Sequence, residues 1–350
     1  MKQNVIIFGN GIGMAINNTS FGLAEGLKHG WNKLKDYEQQ LLEYCLSIKS
    51  CNIPPTSEKD LDIAYLTATS TRLLRSIEED NQSPNTWLAN GNKQRDFHFI
   101  LRRYSSFVAE YFFDKMQSYV FTPQAPLVDA FLERLVRHIK SSRDHVATLN
   151  YDTALYEKFV DNGICKNTSY LIDGMVDSGF DVSNVRDIKQ RNKCGYYFHL
   201  HGSIYLFEND SPGNPIKRNR AQLGSVSTLD YESLTKTIVL AAIEHKPLII
   251  EESNLLKGYW SLLREEMYSA EKLTLFGYSG GDDHLNELIN EVSRLSQIEI
   301  NIIQWCNSPK QKADWDKVFP SKSFNLIHFN NILEFSNWMD PKSDSNGKLQ

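Results

Sequence analysis

The sequence predicts an α/β fold built on a parallel sheet of about six strands, with a large helical insertion after the first strand. Short apolar runs rich in Val, Ile, Leu and Phe recur along the chain. They are continuous rather than alternating, as strands covered on both faces require. Between them lie longer stretches with apolar residues at helical spacing, the pattern of βαβ crossovers. A Rossmann-like arrangement follows from the two together.

In order, the runs are "NVIIFG" (4–9), "HVATLN" (145–150), "YYFHLHG" (196–202), "PLIIEE" (247–252), "KLTLFG" (272–277), "IEINIIQW" (298–305) and the weaker "FNLIHF" (324–329). Too many residues separate the first two for a single crossover, and 33–140 reads as a helical insertion. There, "TSEKDLDIAYLTATSTRLLRSIEED" opens with Ser57-x-x-Asp60, which resembles a capping box. "RDFHFILRRYSSFVAEYFFDKM" and "PLVDAFLERLVRHIKSS" repeat apolar residues at helical spacing. Residues 206–246 read as a second, mostly irregular insertion. The expected organisation is one domain over 1–340, its sheet core formed by 1–32 and 141–340, followed by a disordered polar tail at 341–350.

Composition narrows the function. The chain has 350 residues, 41% hydrophobic and 23% charged, with a net charge of −5, as in an ordinary globular protein. That balance exerts no pull toward nucleic acid or an anionic membrane, and direct binding to nucleic acid is not expected. The apolar residues of "MKQNVIIFGNG" are too few for a signal-peptide core, and no run approaches a membrane span. Cys45, Cys51, Cys165, Cys194 and Cys306 are odd in number and scattered, which fits reduced thiols in the cytoplasm. No C-x-x-C pair occurs, so neither a zinc ribbon nor any metal is expected.

Candidate chemistry concentrates at strand ends, where ligands bind in open α/β sheets. After the first strand, "FGNGIGMAIN" sets Gly9 and Gly11 around Asn10 in a turn before a helix, suited to close approach of a phosphate. Position 14 is methionine, so the G-x-G-x-x-G fingerprint is incomplete and a dehydrogenase loses ground. "ATLNYDTALYEKF" puts Thr148, Asn150 and Asp152 on one face if the strand persists; the plain alternative is a cap for the next helix. "HLHGS" brings His201 and Gly202 to the same edge, with His199 one strand repeat behind and expected to be structural. "LTLFGYSGGDDHLNELI" supplies Gly277, Ser279 and Gly281 before a helix that Asp282 or Asp283 would cap. Four polar or glycine-rich strand ends at one edge exceed coincidence.

In order and type, "GNG", "TLNYD" and "LHGS" resemble the sirtuin NAD-binding core. "FGYSGGDD" and "IEINIIQW" look like the elements that line the adenosine half of NAD in that fold. With no paired cysteines and a large helical block, the chain is similar to divergent bacterial sirtuin-like proteins that cleave NAD, several of them in anti-phage defence. The resemblance implies an NAD glycohydrolase that takes NAD as substrate and yields nicotinamide and ADP-ribose without a metal. It implies His201 as general base, Asn150 holding the ribose or the attacking water, and Asp152 orienting the nicotinamide end. Gly9, Asn10, Gly11, Thr148, Gly202, Gly277, Ser279 and Asp283 would line the NAD-binding site. It also implies a homo-oligomer, with the aromatic run "FVAEYFF" as a candidate interface, and a partner ATPase or other defence protein. Two alternatives stand beside it, a non-catalytic NAD or ADP-ribose sensor and an NAD-dependent deacylase that has lost its zinc.

Overall fold

β1 (Val5–Phe8) lies in the middle of the sheet and is buried along its whole length. It was described, with the rest, in a computed structural model covering 2–45, 54–55, 57–66, 91–118, 124–165, 170–176, 179–207, 215–217, 237–241, 245–320, 323–344 and 346–349. On one side of β1 the parallel order continues through β2 (His145–Thr148), β6 (Gly195–His199) and the short β3 (Leu171–Ile172). On the other it continues through β9 (Lys272–Phe276), β10 (Glu299–Trp305) and β11 (Phe324–Phe329). β12 (Lys348–Leu349) adds an antiparallel edge, and two small hairpins, β4 (Met175–Val176) with β5 (Gly179–Phe180) and β7 (Leu206–Phe207) with β8 (Ile216–Lys217), stand apart. The chain leaves β1 for one side and later returns to β9 on the other. This reversal opens a crevice beyond the carboxyl ends of β1, β2 and β9, the usual ligand site of a Rossmann-like fold.

Side-chain alternation along β1 feeds two cores: Ile6 and Phe8 join one, Val5 and Ile7 the other. Over the first face pack α1 (Gly11–Ile16), α2 (Leu23–Lys33), α3 (Asp36–Cys45), α4 (58–66), α5 (Gly91–Gln117), α6 (Ala125–Ser142) and α7 (Ala154–Asp161), burying Leu27, Phe107, Phe131 and Phe159. Over the second lie α8 (Val182–Asn192), α9 (Lys246–Glu252), α10 (Asn254–Ser269), α11 (Asp283–Leu295) and α12 (Lys312–Val318), burying Tyr259, Leu263, Leu285 and Trp315. Runs buried on both faces explain why the strands read as continuously apolar.

Within 33–140, α5 docks on α2 where Gly26 leaves room for the Phe112 ring; a methyl there would meet it at 2.6 Å. The Tyr104 hydroxyl donates to Leu27 O at 2.8 Å, and buried Arg103 Nη1 donates to Glu38 Oε1 of α3 at 2.6 Å. Ser57 N–H donates to Asp60 Oδ2 at 3.0 Å, one half of the expected capping box. The aromatic run considered for an interface lies inside the chain instead: Phe107, Val108, Phe112 and Phe113 are all buried in its core.

Two expectations need correction. "PLIIEE" is not a strand but α9: Pro247 falls in the first turn of a helix, where its fixed φ is favourable and no N–H is needed, and one side carries exposed Leu248 while Ile250 is buried. The tail is not disordered over 341–344 and 346–349. The Asp344 carboxylate accepts from the backbone N–H groups of Ser336 and Asn337 at 2.7 and 2.8 Å, and Lys348–Leu349 pairs with β11. β3, only two residues long, has no run long enough to announce it. Most of 206–246 lies outside the described residues.

Candidate functional site

A cleft of about 540 Å³ opens at the carboxyl edge of the sheet, within the size range of small-molecule sites. The turn after β1 contributes Gly9, Asn10 and Gly11, the loop after β2 contributes Asn150, Tyr151 and Asp152, and His201 follows β6. Gly277, Ser279 and Asp282 enter after β9, and Gln304, Trp305 and Ser308 from the end of β10. Met14, Leu23, Phe112 and Leu149 supply apolar wall, while Glu58 of α4 and Lys246 of α9 enter from outside the sheet. Distant strand ends thus meet in one cavity.

Asn150 and Asp152 are buried at its floor. The Thr148 hydroxyl accepts from Asn150 N–H at 3.0 Å, and Asp152 Oδ1 accepts from Ala154 N–H at 3.0 Å. Between Asp152 and α7, Thr153 adopts a left-handed φ of 59°, a conformation that strains a β-branched residue and is concentrated at functional sites. Asn150 Nδ2 and Asp152 Oδ2 find no hydrogen-bond partner of ordinary geometry among the described residues. Buried polar atoms are nearly always satisfied, so this pair offers a donor and an acceptor to a ligand. Burial pushes the Asp152 carboxyl up to about 6, against the Ala154 N–H and the nearby Asn150 amide, which both favour its charge. The carboxylate form still predominates at neutral pH.

His201 lies past the end of β6, in a turn closed by Gly202 N–H donating to His199 O at 3.0 Å. Its Nε2 is 2.7 Å from Asp282 Oδ2. The same oxygen accepts from Lys246 Nζ at 2.8 Å, and Lys246 also pairs with Glu58 at 3.5 Å. The other Asp282 oxygen caps α11, accepting from Leu285 N–H at 2.9 Å. Burial alone would raise the Asp282 carboxyl, but the His201 contact and the Lys246 ammonium outweigh it and hold the group well below the usual carboxylate range. Burial would likewise lower Lys246, yet Asp282 and Glu58 keep it above the ordinary ammonium value. Tyr151 leans its ring toward His201, centroids 6.2 Å apart, and its hydroxyl donates to Val239 O at 2.5 Å.

His199 is a different kind of residue. Its ring sits edge-on to Tyr156 and Tyr197, both at 4.9 Å, and burial pushes it down to about 3, so it is neutral. Its contacts are aromatic packing.

Eight of the expected site residues line the cleft: Gly9, Asn10, Gly11, Asn150, Asp152, His201, Gly277 and Ser279. Thr148, Gly202 and Asp283 do not. The Thr148 side chain shapes the loop beneath Asn150. Gly202 has a φ of 82°, and a methyl there would stand 1.6 Å from Thr237 O, so it admits a neighbouring backbone segment. Asp283 is displaced by Asp282, which holds both the cap and the cleft position. Asn10 has a structural bond as well, donating from Nδ2 to Phe21 O at 2.6 Å. Glu58, Tyr151, Lys246 and Asp282 were not expected to line the site; among them only Asp282 carried a sequence signal, as one of two possible caps.

No curated protein matches the chain in sequence. A family model described as a SIR2-like domain matches residues 144–318. The matched range holds Asn150, Asp152, His201, Lys246 and Asp282, and leaves out the glycine turn of β1 and Glu58. That match spans half of the chain and carries the core of the cleft, so the protein belongs to the SIR2-like family, whose members are in general NAD-dependent enzymes.

Proposed function

We propose that the protein is an NAD glycohydrolase, cleaving NAD to nicotinamide and ADP-ribose. The observation that carries this reading is the convergence of buried Asn150, Asp152 and His201 in one cleft, with Asn150 Nδ2 and Asp152 Oδ2 lacking a hydrogen-bond partner of ordinary geometry among the described residues. An amide donor and a carboxylate acceptor suit a ribose hydroxyl and a carboxamide N–H. A histidine beside them suits a proton acceptor.

The C–N bond to nicotinamide breaks with its electron pair leaving on the ring nitrogen, so the leaving group departs neutral and needs no acid. The ribose carbon becomes oxocarbenium-like, as in other glycosidic cleavages. A water oxygen bonds to that carbon, and the proton it loses passes to His201. Asp152 would hold the carboxamide, and Asn150 the ribose or the water. Gly9 and Gly11 would admit the pyrophosphate, with Ser279 toward its far side. A sensor would need the cleft but not the histidine, which favours the enzyme. Zinc-free hydrolysis, rather than deacylation, is supported by the absence of C-x-x-C pairs. Depletion of NAD in anti-phage defence, a cytoplasmic homo-oligomer and a partner ATPase are further parts of this reading, and the resemblance of the sequence motifs alone supports them.

The test is nicotinamide release from NAD by the full chain beside His201→Ala. A positioned base contributes roughly 10²–10⁴-fold, so turnover should fall by that factor in a folded variant that still binds NAD. A folded wild type that never binds NAD would overturn the reading.

A further inference from the structure

We propose that Asp282 is a positioning residue for His201, fixing Nε2 as the protonated ring nitrogen so that Nδ1 accepts the proton, while Lys246 holds Asp282 in place. The inference rests on His201 being the base of NAD cleavage.

The capping of α11 requires only Asp282 Oδ1, which accepts from Leu285 N–H at 2.9 Å. Oδ2 is turned the other way, to His201 Nε2 at 2.7 Å and Lys246 Nζ at 2.8 Å. Nε2 and Nζ are themselves 3.5 Å apart, and both address the same oxygen. An ionised carboxylate can only accept, so in the neutral ring Nε2 carries the hydrogen and Nδ1 is left with the lone pair. The Asp282 backbone is held as well: its N–H donates to the Tyr278 hydroxyl at 3.1 Å, which in turn donates to Asn286 Oδ1 at 2.8 Å. The carboxylate therefore has little freedom to turn away.

Lys246 is nine-tenths or more buried beside a centre that becomes cationic in the reaction, which alone would be unfavourable. Asp282 and Glu58, at 2.8 and 3.5 Å, offset it, and the three together carry one net negative charge. That charge favours both an imidazolium formed by proton uptake and the oxocarbenium-like ribose. Glu58 comes from α4, so the helical block supplies part of the machinery that orients the base.

Asp282→Asn tests this directly. Its Oδ1 keeps the cap, while Nδ2 replaces an acceptor with a donor facing Nε2, which favours the opposite His201 tautomer. In the ¹⁵N-histidine NMR spectrum of the full chain, with His201 assigned by its loss in His201→Ala, the wild type should show a protonated Nε2. Asp282→Asn should show the Nδ1–H form or a mixture. In parallel, kcat for nicotinamide release should fall at least ~10²-fold with KM for NAD changed less than about threefold, the pattern of a wrongly presented base. Asp282→Ser, which also keeps a capping oxygen, should lose kcat in the same way and serves if the first variant does not fold. A wild-type ring protonated on Nδ1, or an Asp282→Asn ring and kcat like the wild type, would overturn the proposal. If the wild type releases no nicotinamide yet the tautomer depends on Asp282, the hydrolase reading fails while the clamp stands.

Discussion

The turns after β1 and β9 interlock at Gly11 and Gly277: a methyl group on either would lie 2.5 Å from the Cα of the other. Gly9 N–H donates to Phe276 O at 2.9 Å and Gly277 N–H to Ile303 O at 2.9 Å, so the contact ties three neighbouring strand ends together. These glycines thus have a packing role as well as a place in the cleft wall. Gly277 also has a left-handed φ of 58°. Gly277→Ala should therefore cost about 1–2 kcal/mol for the backbone and about 1–3 kcal/mol for overpacking. Thermal unfolding and NAD titration check this. An unchanged Tm would mean that the two turns can separate freely.

Asp152 gives a pH dependence whose sign follows from burial. Its carboxyl is pushed up to about 6 in the folded chain, from an ordinary value near 3.8. The folded state therefore holds this proton more tightly than the unfolded state, and ionising the group costs stability. The cost is absent below about pH 4 and fully present above about pH 6. Asp152→Asn should be more stable than wild type at pH 8, by about 3 kcal/mol, and close to it near pH 4. NAD affinity should rise through pH 6 in the wild type and stay flat in the variant, because only the carboxylate gains acceptor strength there. Denaturant unfolding at the two pH values, with NAD titrations, reads both effects.

The parts of the site that were legible in the sequence are those a single strand end can carry. "TLNYD" and "LHGS" each follow an apolar run directly, so Asn150, Asp152 and His201 could be assigned to one edge before any tertiary contact was known. Lys246 and Glu58 could not: Lys246 reaches Asp282, and Glu58 reaches Lys246, from separate helices with no local spacing to connect them. Asp282 and Asp283 are adjacent, and a one-residue shift in where α11 begins decides which side chain faces the cleft. In α9, a short Ile-rich run resembles a strand, and the proline at its start was the feature that pointed to a helix. Six of the seven candidate strands are strands, because burial on both faces leaves a signal that tertiary context does not reverse.

The buried pair Glu38–Arg103 joins α3 to α5 at 2.6 Å. Removing one partner leaves a charge in the core, which typically costs about 3–5 kcal/mol, whereas replacing both with apolar residues of similar size is often near neutral. Glu38→Gln should therefore destabilise strongly, and Glu38→Leu combined with Arg103→Met should recover much of the loss. A double variant as unstable as the single would show that the pair contributes through more than charge compensation.

His199 and His201 lie two residues apart and should respond oppositely to replacement. His199 is held neutral, its imidazole pushed down to about 3 by burial among Tyr156 and Tyr197. The unfolded chain takes up a proton at this position below about pH 6.5, while the folded chain does not until about pH 3. Wild-type stability should thus fall progressively across that window as pH decreases, and His199→Phe should remove this contribution. A phenyl ring of similar shape keeps the edge-on packing, so nicotinamide release should remain within a few-fold of wild type, against the roughly 10²–10⁴-fold loss expected for His201→Ala. Unfolding curves at pH 7 and 5, set beside turnover for both variants, separate the two histidines. A collapse of kcat in a folded His199→Phe would make the inner histidine part of the chemistry, since neither packing nor charge would explain the loss.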